Sequence, residues 1–177
     1  MPVDKENEFL KLKVSATGCV VWSSDHIGAN LLLSEDGLAV AHMGDGALRE
    51  GVRGTSSNVI WWEIEAENMG PGVPGCSAWV GLCSEQGFQR EGNPVDMIAI
   101  HPFHHPAPRC DVGDRFGVGL DIDRKRVIFY KNRVVQEIHP IPPPLEGTEL
   151  YPFISNFTRR IKFRSVLSEE PPDFSVA

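Results

Sequence analysis

The chain has 177 residues, 41% of them hydrophobic, and carries a formal net charge of −7. That length predicts one domain with a real core, and no apolar run approaches the ~18 residues that cross a bilayer as a helix. The acidic balance argues against nucleic acid, because a phosphate-binding surface calls for a basic face. The first eight residues, acidic and polar, are expected as a tail, and they lack the basic and apolar regions of a secretory signal. A cytoplasmic setting, with the nucleus left open, is therefore expected, with no membrane partner.

Short strands are predicted first at Lys11–Val14, Val20–Trp22, Leu31–Leu33 and Leu38–Ala41. The clearest period-two pattern is Asn58–Glu67, where Trp62, Ile64 and Ala66 point one way and Trp61, Glu63 and Glu65 the other. Glu63 and Glu65 are expected on a solvated face. Gly70–Gly75 formally fits G-x-G-x-x-G, but its two prolines remove N–H donors and a strand follows at Ala78–Cys83, so it predicts a loop. His101–Cys110 gathers three His and one Cys between three prolines, types that zinc accepts, yet without regular ligand spacing. A proline-stiffened loop without metal is expected.

Arg115–Asp123 repeats the alternation more sharply. Phe116, Val118, Leu120 and Ile122 share a face, and after Arg115 the other face carries only glycines and acids. Interior strand glycines often mark the close approach of another segment. Turns at Asp123–Arg126 and Lys131–Arg133 bracket a strand at Val127–Tyr130, and Asn132 suits a hairpin that needs positive φ. A strand at Val134–Ile138 follows. Pro140–Pro144 contains P-x-x-P and is expected as a loop between strands rather than a polyproline ligand. The last strands are Leu150–Asn156 and Arg160–Ser165, the second with Ile161 and Phe163 inward and Arg160, Lys162 and Arg164 outward on a solvated face. No segment of 10 or more residues shows helical periodicity free of Gly or Pro, so the class is all-β.

Cys19, Cys76, Cys83 and Cys110 have no Cys-x-x-Cys or zinc-finger spacing and are expected as reduced, mostly buried thiols. The Asn156-Phe157-Thr158 sequon is expected to stay bare. Neither G-x-S-x-G nor H-E-x-x-H occurs, and no Cys–His pair has catalytic spacing, so no enzyme and no cofactor is expected.

Five pieces stand in a recognisable order: Leu31–Gly37; Val52–Thr55 with Trp61–Glu65; Ala78–Cys83; Gly113–Asp123 continuing to Ile128–Asn132; and Leu150–Ser155. With them the chain resembles a SPRY domain of the PRY–SPRY type over about residues 9 to 174. Arg133 departs from the family's usual glycine, and Arg90–Cys110 fits it poorly. The resemblance implies a bent antiparallel β-sandwich of concanavalin A-like jelly-roll type, with little or no helix. A domain over residues 9–168 is expected between tails at 1–8 and 169–177.

The resemblance also implies a protein-interaction module without a cofactor, monomeric, taking a peptide segment or protein surface through loops at one edge. Such a module serves as an adaptor or as the recognition subunit of a ubiquitin-ligase or signalling assembly. By the same resemblance Gly44–Gly51 forms one wall of the site, Asn93–Met97 a second, and Asn156–Phe157 closes it. The partner-binding residues so implied are Arg49, Glu50, Arg53, Asp96, Met97, Asn156 and Phe157. Phe157 is the apolar anchor, with Arg49 and Asp96 as orienting charges. The alternative is a lectin-like sandwich binding a carbohydrate or small polar ligand, with Trp79 and Asp96 as its candidates.

Overall fold

The computed structural model describes residues 19–43, 50–69, 78–100, 111–157, 161–167 and 170–177. Twelve strands are described: β1 (Trp22–Ile27), β2 (Leu31–Leu33), β3 (Ala39–His42), β4 (Glu50–Gly54), β5 (Trp61–Met69), β6 (Trp79–Ser84), β7 (Met97–Ile100), β8 (Arg115–Asp121), β9 (Arg126–Lys131), β10 (Val134–Pro140), β11 (Leu150–Phe157) and β12 (Ile161–Val166). They form two antiparallel sheets, of order β1-β4-β11-β6-β7 and β10-β9-β8-β5-β12-β3-β2. Helical structure among the described residues is limited to two short 3-10 turns, and no helix is long and apolar enough to cross a membrane. The class is all-β, as the alternation predicts.

The core lies between the sheets and obeys the expected phase. Trp62, Ile64 and Ala66 of β5 meet Phe116, Val118 and Leu120 of β8 in one buried cluster, with Val52, Val80 and Ile154 from the facing sheet. Trp22 closes on Trp62 edge-to-face at 6.0 Å. The P-x-x-P segment forms one of the 3-10 turns, Pro143–Leu145, and seats Leu145 in the core.

The opposite face of β5 and β8 departs from expectation. Trp61 and Glu63 are both buried, each only 2% exposed, because the face carries a further layer. The Trp61 indole lies across Gly117, where an added Cβ would sit 2.2 Å from Cη2, and the Phe174 ring lies across Gly119. The glycines thus mark close approach, as β8 predicts. Residues 170–177, read from the sequence as a tail, lie against this face. Glu63 is covered for the same reason, with Arg133 Nε 3.8 Å from its Oε1, while the half-exposed Glu65 pairs with Arg115 at 3.0 Å.

Other departures have local causes. Val52–Gly54, where the alternation predicts no strand, belongs to β4, whose two glycines erase any apolar alternation. β1 starts at Trp22 instead of ending there, and β7 had no counterpart in the sequence reading. Lys11–Val14, Gly70–Gly75 and His101–Cys110 fall outside the described residues, as do Cys76 and Cys110, while Cys19 and Cys83 are free thiols. Burial pushes the Cys83 thiol up to about 12, which leaves it inert at neutral pH. The β9–β10 hairpin turns through Asn132 (φ 48°) and Arg133 (φ 64°). Both are left-handed, as a primed two-residue turn requires. Asn132 also fastens the start of β8, accepting from Arg115 N at 2.9 Å and donating to Asp114 at 2.9 Å.

On β12, Lys162 and Arg164 are ion-paired rather than simply solvated: both reach Glu67 at 2.8 Å, and Arg164 also reaches Asp36 at 3.0 Å. Asp36 accepts from the Ser34 hydroxyl and the Leu38 N–H. These donors and the Arg164 guanidinium hold its carboxyl at about 2, below the ordinary 3.8. A carboxyl with a depressed folded value stabilises the fold above its unfolded value, and that contribution is lost as pH falls through the folded one. The melting-temperature gap between the wild type and Asp36→Asn is expected to stay constant above about pH 4 and to shrink toward pH 2. A gap unchanged down to pH 2 would mean the carboxyl is unperturbed.

Candidate functional site

The registers bring one set of strand ends together. Glu50, opening β4, faces Phe157, closing β11. Ser155 faces Trp79, which opens β6, and Val80 faces Ile100, which closes β7. In the other sheet Met69, closing β5, faces Ile161, opening β12, and Lys162 faces Ala41 near the end of β3. Four connections between the sheets (residues 44–49, 70–77, 101–110 and 158–160) therefore leave from one edge of the sandwich. The three-residue link after Phe157 fixes the gap between the sheets there, since a chain that short cannot span far.

The sequence-derived site residues divide on this frame. Arg49 lies outside the described residues, and Asn156 and Phe157 are the last two residues of β11. Glu50 stands at the edge but is only 1% exposed, and it acts inward. Its carboxylate accepts the Asn30 N–H and the Asn30 side-chain amide, each at 3.1 Å, and lies 3.8 Å from His42 Nε2. It thereby ties the β1–β2 corner to the start of β4.

Arg53 is 5% exposed on the outer face of the five-stranded sheet, its guanidinium 3.9 Å from the Tyr151 ring centroid. Its Nη2 lies 3.3 Å from His26 Nδ1. Burial first, then the Arg53 charge, holds the His26 imidazole below its ordinary value, so His26 is neutral and Nδ1 accepts. Arg53 Nε and Nη1 are buried and make no hydrogen bond among the described residues. Neither Glu50 nor Arg53 is an exposed partner contact in this structure.

Residues 85–96, joining β6 to β7, fold back across the five-stranded sheet. Gly51 N donates to the Arg90 carbonyl at 3.1 Å, Glu50 and Glu91 form an isolated bridge, and Arg90 Nη2 donates to the Asp25 carbonyl at 2.6 Å. The Ser155 hydroxyl donates to Asn93 at 3.0 Å, so Asn93 approaches the converging edge. Asp96 and Met97 do not. Met97 faces Cys83, which faces Tyr151, six residues before Phe157. At about 3.3 Å per residue that separates them from the edge by about 20 Å. Asp96 turns there with φ 56°, and Met97 lines a cleft of about 290 Å³ with His139, Pro140 and Pro142 between the open edges of β7 and β10. Trp79 and Asp96, the sugar-site candidates, likewise stand toward opposite ends of the β6–β7 pair. Of the second wall that the resemblance implies, Asn93 alone reaches this edge, and Arg90 is not signalled by the sequence because nothing in a run of polar residues shows that it crosses a sheet.

No protein-family model matches the chain, and no curated protein matches it by sequence. Its fold does have solved counterparts. A human SPRY domain superposes with a TM-score of 0.61 at 20% identity, covering 80% of this chain and 98% of that one. The neuralized NHR1 domain of Drosophila melanogaster gives 0.67 at 13% identity, covering 85% and 99%. The TRIM65 PSpry domain gives 0.57 at 16% identity, covering 96% and 99%. The chain has a SPRY-type β-sandwich fold.

Proposed function

We propose that the chain is a non-enzymatic interaction module that captures a peptide segment or protein surface at the edge where its sheet-to-sheet connections gather. The convergence of Glu50, Met69, Trp79, Ile100, Phe157 and Ile161 carries this reading, since it gathers the strand ends that bear several connections on one rigid frame. The likeness to SPRY and PSpry domains supports it by analogy of fold. Arg49 and Phe157 are the residues assigned to the partner, as orienting charge and apolar anchor. Glu50 holds the frame at the start of β4 through Asn30. In this reading the module acts in the cytoplasm or nucleus as a monomeric adaptor or recognition subunit, in a ubiquitin-ligase or signalling assembly.

Asp96 and Met97 belong to a separate surface, about 20 Å away along the strands. The test is selection of binders from a peptide-display library with the intact chain, alongside a glycan array. Peptide hits are expected, with Phe157→Ala weakening them at least tenfold at an unchanged melting temperature. Undiminished capture would remove Phe157 from the site, and sugar hits without peptide hits would replace the reading with a lectin-like one.

A further inference from the structure

The layer over the outer face of the seven-stranded sheet has the contacts of a bound peptide rather than of a packed core. Its floor is Gly117 and Gly119, and its walls are Trp61, Ile128 and Tyr130, which form a small apolar cluster separate from the main core. Into it the chain sets Phe174, whose ring lies against Gly119 and 6.5 Å from the Trp61 centroid. Any Cβ at residue 119 would come within 2.6 Å of that ring, so the slot exists only because the residue is glycine.

Two arginines grip the segment by its main chain. Arg126 donates from Nη2 to the Phe174 carbonyl at 2.6 Å and from Nη1 to the Ala177 carbonyl at 3.3 Å, while Asp121 holds its Nε at 2.9 Å. Arg133 donates from Nη2 to the Glu170 carbonyl at 2.7 Å, with its guanidinium 5.7 Å from the Trp61 ring centroid. A short 3-10 turn, capped by Asp173 through Ser175, presents the phenyl ring. The Ser175 hydroxyl and N–H, with a lesser contribution from the Arg124 charge, hold the Asp173 carboxyl below its ordinary range.

The seating is shallow. Glu170, Pro171, Asp173, Ser175 and Val176 are exposed, and even Phe174 is only half-buried. The segment also leaves the fully buried Tyr130 hydroxyl without a hydrogen-bond partner among the described residues. Arg133 keeps a left-handed backbone (φ 64°) where glycine would be unstrained, and its side chain reaches this segment.

We propose that this groove is a second peptide-recognition site, occupied in cis by residues 170–177. Its partner in trans is an acidic, proline-containing segment of another protein with a single Phe anchor, the chemistry of Glu-Pro-Pro-Asp-Phe. Arg133 at Glu170 and Arg126 at Phe174 and Ala177 capture main-chain carbonyls before and across the 3-10 turn, the glycine-floored slot reads the phenyl ring, and the acid before it caps the turn. The tethered segment competes at an effective concentration of roughly millimolar, so the site opens only to a better-fitting or locally concentrated partner.

The test uses the full chain, intact and as Phe174→Ala, titrated with a synthetic peptide of Glu170–Ala177 and followed by the amide NMR signals of Gly117 and Gly119. The variant is expected to bind at least tenfold more tightly than the intact chain, and a peptide with Ala in place of Phe to bind at least tenfold more weakly. Absence of shifts at those two amides in a folded variant would overturn the proposal. Loss of signal dispersion in Phe174→Ala would do so too, by making the segment an integral part of the sandwich. A dimer of the intact chain that Phe174→Ala dissolves would give the groove to a second copy instead. Phe157→Ala should leave this binding unchanged, so the two sites fail separately.

Discussion

Leu120→Ala is expected to destabilise the fold by about 2–5 kcal/mol, as measured by urea unfolding. Leu120 is only 3% exposed and sits in the central cluster, with its backbone paired to Val127 of β9. Two terms add: the lost transfer free energy of the side chain and a cavity that the surrounding strands fill only partly. β8 is an interior strand, between β5 and β9, so its backbone cannot shift to close the gap without breaking two ladders. A loss under about 1 kcal/mol would mean that Leu120 faces away from the core and that the strand phase is wrong.

Gly117→Ala tests the other face of the same strand, and it destabilises by overpacking. The new Cβ would sit 2.2 Å from Trp61 Cη2 and 2.9 Å from Cζ3, far inside contact distance. The indole is wedged against Tyr130, whose ring stands edge-on at 5.1 Å, so it must lift away from the sheet. Lifting it loosens Phe174 and Arg133 together. The expected loss is about 1–3 kcal/mol. Trp61→Phe removes the colliding atoms, and in that background Gly117→Ala should cost markedly less. Strictly additive effects in this double-mutant cycle would show that the ring and the glycine do not meet.

These two positions show where sequence reasoning works on this chain. Along β8 every second residue is apolar and the alternates are glycine or charged, so one pattern gives both the strand and its orientation. The glycines carried the further message that something presses on the outer face, though not that Trp61 and Phe174 do the pressing. Glu63 was misjudged for that reason: a carboxylate in an alternating strand is normally solvated, and only the covering layer makes it buried. β4 escaped because Glu50-Gly51-Val52-Arg53-Gly54 contains one apolar residue in five, so its strand state comes from partners on both sides.

The geometry of the candidate edge was legible in part. Family likeness in the five motifs pointed to the connections around Glu50 and Phe157, and the registers bring those strand ends together. It did not show that Glu50 and Arg53 bury their charges against Asn30 and Tyr151, because burial of a charge depends on long-range partners. Nor could it separate Asp96 and Met97 from the edge. That separation arises because residues 85–96 cross the sheet and return, a path that no local pattern encodes.

Mapping a library-selected peptide onto the intact chain by amide NMR shifts tests the proposed interaction edge most directly. Shifts centred on Gly51, Trp79, Ile100 and Phe157 are the predicted result. A footprint centred on Asp96 and Met97, with those four amides unmoved, would contradict it.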